Sequence, residues 1–191
     1  MVNSVEDEHL LYIDKPGIGL KRAFIFWDHA NVFHNLQKLN MRIDYELAKM
    51  KLVRDYHLAA AIMYLGKPLI VYPKKQKFFR ALEKTGWVLN EKSLKVSASG
   101  EISQNGIDQA MFLDLFILAE SEAYEKAIIV SGDNIFVEAI KILKKLNKQV
   151  EVWSFRNSLS RALIWEVGRE NVYYLDNILE EIMLKNDRLK N

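Results

Sequence analysis

Hydrophobic residues in this chain fall into short continuous runs, separated by segments in which they recur every three or four positions. A continuous run is typical of a strand buried on both faces of a sheet, whereas the wider recurrence is typical of a helix with one buried face. The runs predict strands at AFIFW (23–27), AAAIMYLG (59–66), the start of WVLNEKSLKVSASG (87–100), KAIIVSGD (126–133), VEVWSF (150–155) and NVYYL (171–175).

Helices are predicted between these strands, so the two element types alternate along the chain. This alternation predicts an α/β fold of three layers, a doubly wound and mainly parallel sheet with helices on both faces. We expect the domain to span residues 22–185, between an irregular leader at 1–21 and a tail at 186–191. The predicted helices are 32–39, 44–56, 74–86, 105–123, 135–148, 158–167 and 176–184.

Two aspartates stand where predicted strands end. Asp28 follows the first strand and Asp133 follows the fourth, and each precedes a helix. With right-handed crossovers, the carboxyl ends of parallel strands all lie on one edge of the sheet. If the first three strands wind one way and the fourth returns to pair beside the first, both acids flank the switch point, where open α/β sheets bind their ligands.

A third acid, Asp108, stands near the start of the helix that leads into the fourth strand. Asp114 follows six positions later, about 240° further around a helix, so we expect Asp108 to be a direct member of the site and Asp114 a neighbour. Close carboxylates repel one another, and a divalent cation removes the conflict. Oxygen ligands suit Mg²⁺ or Mn²⁺ better than Zn²⁺. The alternative is that each aspartate only caps a helix.

Composition and missing motifs narrow the function. The 191 residues carry a net charge of +2 and no cysteine, which excludes disulfides and thiolate catalysis and fits a cytoplasmic protein. The sequence shows no secretory signal and no run long enough to cross a membrane. The first predicted turn lacks the glycines of a dinucleotide site, no P-loop is present, and Ala30 stands where a DxD phosphatase needs an acid.

Basic residues between positions 67 and 84 predict a surface that could steer an RNA backbone toward the acids. Solvated lysines on an outer helix are the alternative. The candidate RNA-binding residues are Lys74, Lys75, Lys77, Arg80, His29 near the first acid, and Tyr72 as a base-stacking residue.

The loop after the fifth strand carries two more basic residues, Arg156 and Arg161, on the same predicted edge as the acids. Contact with phosphate and ordinary capping or pairing contacts are both open for them. Trp165 lies in the following predicted helix, where we expect it to pack in the core.

Three motifs together resemble the NYN domain, a branch of the PIN-like ribonucleases. An apolar strand ends in Asp with Asn three positions on, a Gly-hydrophobic-Asp turn leads into an apolar helix, and a second apolar strand ends in Ser-Gly-Asp. The resemblance covers about residues 22–180. The motifs are FIFWDHANVF (24–33), NGIDQAMFLDLF (105–116) and IIVSGDNIF (128–136).

The resemblance implies a ribonuclease that hydrolyses phosphodiester bonds of single-stranded RNA with water held at a divalent cation. Asp28, Asp108 and Asp133 would then hold Mg²⁺ or Mn²⁺. Asn31 would orient water or a phosphate, and Asp114 would support the metal ligands.

Two departures from the family pattern leave a second function open. Ile135 stands where many members have a further acid, and Asn105 stands where many have lysine. The alternative is a non-cleaving RNA- or protein-binding module that keeps the PIN-like fold. Family members often pair, so the resemblance also leaves a homodimer open.

Overall fold

The computed structural model describes residues 21–67, 72–93, 95–96, 102–103 and 105–184. Of the leader expected at 1–21, Lys21 alone is among these residues. The tail expected at 186–191 lies outside them.

Strands alternate with helices along the described chain, as the hydrophobic pattern predicts. The strands are β1 (Arg22–Asp28), β2 (His57–Lys67), β3 (Val88–Ser93), β4 (Lys95–Val96), β5 (Ile102–Ser103), β6 (Lys126–Val130), β7 (Gln149–Ser154) and β8 (Val172–Tyr174). The α-helices are α1 (His29–Lys38), α2 (Tyr45–Val53), α3 (Pro73–Lys84), α4 (Asn105–Glu120), α5 (Val137–Lys145), α6 (Arg161–Val167) and α7 (Leu179–Ile182).

Six of the strands form one sheet in the order β3-β2-β1-β6-β7-β8. Every pairing in this sheet is parallel, and β1 pairs with both β2 and β6. The chain therefore winds outward from β1 in one direction and returns through β6 in the other. The predicted switch point between the first and fourth strands of the sheet is confirmed.

Helices cover both faces of the sheet, and each face has its own apolar core. Leu36 of α1, Leu52 of α2 and Phe79 of α3 belong to one core, and Met111 of α4 and Ile140 of α5 belong to the other. These two cores confirm the three-layer α/β fold.

The continuous hydrophobic run of β1 follows from this arrangement, because side chains alternate between the two cores. Ile25 and Trp27 face the core under α1 and α2, while Phe24 and Phe26 face the core under α4 and α5. Position 28 has the same parity as Phe24 and Phe26. The strand therefore delivers Asp28 to the α4 side of the sheet.

Several elements differ from the prediction in extent. The segment predicted as a polar loop after the third strand contains the antiparallel pair β4 and β5. The helix predicted at 176–184 is limited to α7, and a 3₁₀ turn, Leu175–Asn177, precedes it. Within the described part of the chain, every helix is too short or too polar to cross a bilayer.

The prediction that Trp165 packs in the core is wrong, because 87% of its surface is exposed. Leu163 and Val167 occupy the buried face of α6 instead. Trp165 lies two positions from each of them, about 200° around the helix, and therefore faces solvent.

Candidate active site

Asp28 ends β1 and lies at the carboxyl-end edge of the sheet. Its Oδ1 accepts a hydrogen bond from the Asn31 amide at 3.1 Å, which caps α1, and its Oδ2 accepts from the Ser131 hydroxyl at 2.9 Å. Burial raises the pKa of Asp28, these hydrogen bonds lower it, and the charge of Asp133 raises it again. Asp28 is thus both a helix cap and a buried carboxylate close to a second one.

The Ser-Gly-Asp turn after β6 is hydrogen-bonded to the end of β1. The Gly132 amide donates to the Asn31 side-chain oxygen at 3.2 Å, and the Asp133 amide donates to Ser131 Oγ at 3.2 Å. Asp133 Oδ1 accepts from the Ile135 amide at 3.1 Å. Since Ser131 also donates to Asp28, one serine connects the two strand-end acids.

Gly132 is required by a close approach of the loop after β7. A Cβ at this position would lie 2.2 Å from the Ser158 carbonyl oxygen and 2.7 Å from Ser154 Oγ. The Ser160 amide also donates to the Gly132 carbonyl at 2.9 Å. This contact fixes the backbone from which Asp133 projects.

Asp108 completes the group of acids from the first turn of α4. Burial raises the pKa of Asp108 to about 6, and the charges of Asp28 and Asp133 contribute to the rise. Each of these acids therefore opposes the ionisation of Asp108. The structure brings Asp28, Asn31, Asp108 and Asp133 to one edge of the sheet, over the switch point.

The chemistry of this donor set fits a hard divalent cation. Carboxylate oxygens and an amide are the ligands that Mg²⁺ and Mn²⁺ prefer, and a cation would relieve the repulsion that raises the pKa of Asp108. As the side chains stand, no group of three or more His, Cys, Asp or Glu residues in the described ranges could hold a metal ion.

Asp114 lies deeper along α4 and is bonded to two other residues. Its Oδ2 accepts from the Tyr64 hydroxyl at 2.8 Å and from Asn90 Nδ2 at 2.9 Å. Tyr64 is in register with Asp28 on the neighbouring strand, and Asn90 is in register with Tyr64 on the next. Asp114 therefore bonds α4 to Tyr64 and Asn90, which lie in one row with Asp28 across the neighbouring strands β1, β2 and β3.

The hydrogen bonds that Ser131, Tyr64 and Asn90 make with the acids are not predicted from the sequence. Ser131 has a signal, because it precedes Gly132 in the Ser-Gly-Asp motif. Tyr64 and Asn90 belong to no such sequence motif. Their contact with Asp114 depends on the register of two parallel strand pairings, which the folded sheet alone reveals.

The predicted RNA-binding residues of α3 lie on the helix that follows β2, so its first turn is at the same edge as the acids. Lys75 is half-buried and donates to the Gly66 carbonyl at 3.2 Å, and burial lowers its pKa. Tyr72 is 69% exposed. The exposed basic residues of this helix include Lys74, Lys77 and Arg80.

His29 lies in an aromatic cluster. Its ring stacks on Phe33 at a centroid distance of 5.4 Å and also approaches Tyr45 and Phe78. Burial lowers the pKa of His29 to about 4, so the ring is neutral at pH 7. Packing against these rings explains the position of the His29 side chain, and contact between His29 and RNA stays a prediction.

A doubly wound sheet with acids over its switch point is consistent with a PIN-like fold. Residues 22–170 match the NYN domain, which is more than half of the chain. The chain therefore belongs to the NYN domain family, and the resemblance seen in the three motifs is confirmed.

The fold is similar to that of a solved structure. It is the crystal structure of a protein of unknown function from Vibrio parahaemolyticus, with a TM-score of 0.72 and 20% sequence identity. The match covers 89% of this chain and 100% of that one. No curated protein matches the chain.

Proposed function

We propose that this protein is a metal-dependent ribonuclease that hydrolyses phosphodiester bonds of single-stranded RNA in the cytoplasm. The observation that carries the proposal is the position of Asp28, Asp108 and Asp133 at the switch point, where Ser131 is hydrogen-bonded both to Asp28 and to the backbone of Asp133. Repelling carboxylates at a ligand-binding edge are what a divalent-cation site requires, and membership of the NYN family supports the same function.

In this proposal Asp28, Asp108 and Asp133 hold Mg²⁺ or Mn²⁺. When bound, such a cation polarises the scissile phosphodiester and lowers the pKa of water. The hydrogen bonds from Ser131 and the Asn31 amide keep the Asp28 oxygens oriented before the cation arrives. Pre-oriented ligands avoid reorganisation during the reaction.

Asn31 and Asp114 take supporting roles. The side-chain oxygen of Asn31 accepts from the Gly132 amide, which leaves its Nδ2 to donate to a phosphate or to water. Asp114 positions α4, and with it Asp108, through Tyr64 and Asn90. The exposed cations of α3, together with Tyr72, then supply a path for the RNA backbone.

Cleavage of labelled single-stranded RNA tests this function. We expect products with Mn²⁺, none with EDTA, and a loss of at least about a hundredfold in rate for Asp28→Asn, because several kcal/mol of charge stabilisation are removed. Asp55→Asn is the matched control, since Asp55 is an exposed acid just before β2, at the opposite edge. Equal cleavage by wild type and Asp28→Asn, or cleavage that ignores EDTA, would contradict the proposal.

A second candidate function is a non-cleaving RNA- or protein-binding module. Ile135 favours it, because this residue is 43% exposed two positions after Asp133, where many family members add an acid. One ligand fewer weakens a metal site. Tight RNA binding without any metal-dependent product would support the module, and multiple turnover at low enzyme concentration would exclude it.

A further inference from the structure

Trp165 differs from the other tryptophans of the chain. Trp27, Trp87 and Trp153 are at most 4% exposed, whereas Trp165 is 87% exposed. An exposed aromatic surface of this size beside a groove is a candidate contact for a ligand or partner. The side chain contributes little to the fold, because α6 packs through Leu163 and Val167.

The indole of Trp165 is one wall of a groove with a volume of about 540 Å³. Arg161 lies one turn before it on α6, and Arg169 lies just after the helix. Ile164 and Val172 add apolar surface, and Tyr174 lies at the β8 side. The groove thus places an exposed indole between two arginines.

The two arginines of the groove are available to a ligand. The side chains of Arg161 and Arg169 form no hydrogen bond or ion pair with any residue in the described ranges. A third guanidinium, that of Arg156, stacks on the Tyr174 ring at 3.9 Å. Unpaired guanidinium groups next to an aromatic ring suit phosphate and base together.

Acidic groups near the groove are fewer than these cations. Glu166 is half-buried and accepts from Lys144 through both its backbone and its side chain. Glu170 is exposed, accepts from Asn171 Nδ2 at 3.3 Å and lies against Gly168. With Glu166 already paired, the groove keeps a positive balance, which complements a polyanion.

The groove also begins at the edge of the sheet that carries the acids. Ser160, which caps α6, donates its amide to the Gly132 carbonyl at 2.9 Å, and Gly132 directly precedes Asp133. Arg161 is the next residue after Ser160. A strand that lies in the groove therefore leads to the carboxylates of the proposed active site.

We propose that this groove is a second RNA-contacting surface, in which a base of a single-stranded RNA stacks on Trp165 while Arg161 and Arg169 contact the flanking phosphates. The proposal rests on the proposed function in taking RNA as the substrate. It assigns a stacking position on the opposite side of the site from the basic helix α3, and it gives the exposed indole its ligand.

Binding measured without cleavage tests the groove. We expect a 12-nucleotide oligoadenylate in EDTA to quench the fluorescence of Trp165, and Trp165→Ala to weaken the Kd about tenfold, because base–aromatic stacking contributes that order of affinity. Trp165→Phe should retain most of the affinity. Arg161→Gln should weaken binding about threefold. It should also reduce the slope of log Kd against log salt concentration by about the amount expected for one phosphate contact.

Two comparisons separate stacking from a general loss of affinity. Lys38→Gln removes an exposed cation at the end of α1, on the far edge of the sheet, and should leave the Kd unchanged. An abasic RNA strand of the same length should bind wild type at least as weakly as oligoadenylate binds Trp165→Ala. Trp165→Ala should discriminate between the two strands about tenfold less than wild type does.

The outcomes also separate this inference from the proposed function. Metal-dependent cleavage with an unchanged Kd and KM for Trp165→Ala would overturn the groove and leave the nuclease intact. RNA binding that quenches Trp165, without cleavage in Mn²⁺, would support the groove and overturn the nuclease. Failure of RNA to quench Trp165 at any concentration that saturates binding would mean that the indole serves a protein partner, and the groove would be overturned.

Discussion

The two edges of the sheet hold their charged side chains in opposite ways. At the amino-end edge, Glu151 lies between Lys126, which donates to it, and Arg54 at 2.5 Å. At the carboxyl-end edge, Asp28, Asp108 and Asp133 form no ion pair with any described residue, and burial together with the charges of Asp28 and Asp133 raises the pKa of Asp108. The first edge is paired within the chain, and we propose that a bound cation supplies the positive charge at the second.

This contrast separates a structural cluster from a functional one. The cations of the amino-end cluster are also placed over aromatic rings, Lys126 at 3.9 Å from Tyr56 and Arg54 at 4.2 Å from Tyr173. Such a cluster stabilises the fold only if every member is paired. At the other edge, Asp28 and Asp133 cap helical turns, but the raised pKa of Asp108 means that its ionised form is disfavoured in the fold, which supports a role for Asp108 other than stability.

Breaking the ion pairs at the amino-end edge should have the largest effect on stability. We expect Lys126→Met to reduce the free energy of unfolding by about 3 kcal/mol, because it leaves Glu151 buried with only the partly exposed Arg54. Urea unfolding measures this loss. Adding Glu151→Leu to Lys126→Met should restore most of the stability, and a double variant no more stable than the single one would contradict the pairing.

Completing the other edge with a cation should have nearly as large an effect. We expect Mn²⁺ at a hundred times its Kd to stabilise wild type by about 2.7 kcal/mol, because the ion binds the folded state alone. Asp108→Asn should lose this stabilisation together with at least about a hundredfold in cleavage rate. Thermal unfolding with and without Mn²⁺ measures it, and equal stabilisation of Asp55→Asn and Asp108→Asn would place the ion elsewhere.

Disturbing the turn that carries Asp133 should have a smaller effect. We expect Gly132→Ala to destabilise the protein by about 1–3 kcal/mol, because its Cβ would lie 2.2 Å from the Ser158 carbonyl oxygen. Gly106→Ala in α4 is the control, since a Cβ there meets nothing within 4 Å. Chemical denaturation should show Gly106→Ala as stable as wild type or slightly more so. A stable Gly132→Ala would show that the loop after β7 moves freely.

The pH dependence should be the smallest effect. The pKa of Asp108 is raised from 3.8 to about 6 in the folded state. Between these values the folded protein binds the proton that the unfolded chain has released, so stability falls as the pH rises through this window. Since Asp108 is half-exposed, solvent screening reduces the loss to about 1 kcal/mol, or 2–4 °C in Tm.

The Asp108→Asn substitution should remove this pH-dependent loss of stability. In the absence of metal, the variant should therefore match wild type at about pH 3.5, below the window, and exceed it in Tm at about pH 7.5, a gain of stability from the same change that removes activity. A variant that is less stable than wild type at both pH values would show that the Asp108 carboxylate is not repelled by its neighbours.

The sequence was sufficient to predict the sheet and the edge that carries the acids. Continuous apolar runs such as AFIFW identify strands buried on both faces, and the switch point follows from chain order with right-handed crossovers. The partners that orient the acids could not be predicted in this way. Tyr64 and Asn90 meet Asp114 only because two strand pairings share a register.

The error at Trp165 has a physical lesson. Hydrophobicity alone favours burial of a tryptophan, but α6 has seven residues and only one buried face. Leu163 and Val167, four positions apart, define that face, and a residue midway between them must point away from it. The spacing therefore contained the signal for an exposed indole.

Anomalous diffraction from crystals soaked in Mn²⁺ tests most directly whether the carboxyl-end edge holds a cation. We expect a peak bounded by carboxylate oxygens of Asp28, Asp108 and Asp133, and its absence in crystals of Asp108→Asn soaked in the same way. A fully soaked wild-type crystal with no peak at this edge, or with Mn²⁺ only on remote surface acids, would contradict the central claim that these carboxylates meet in order to bind a metal ion.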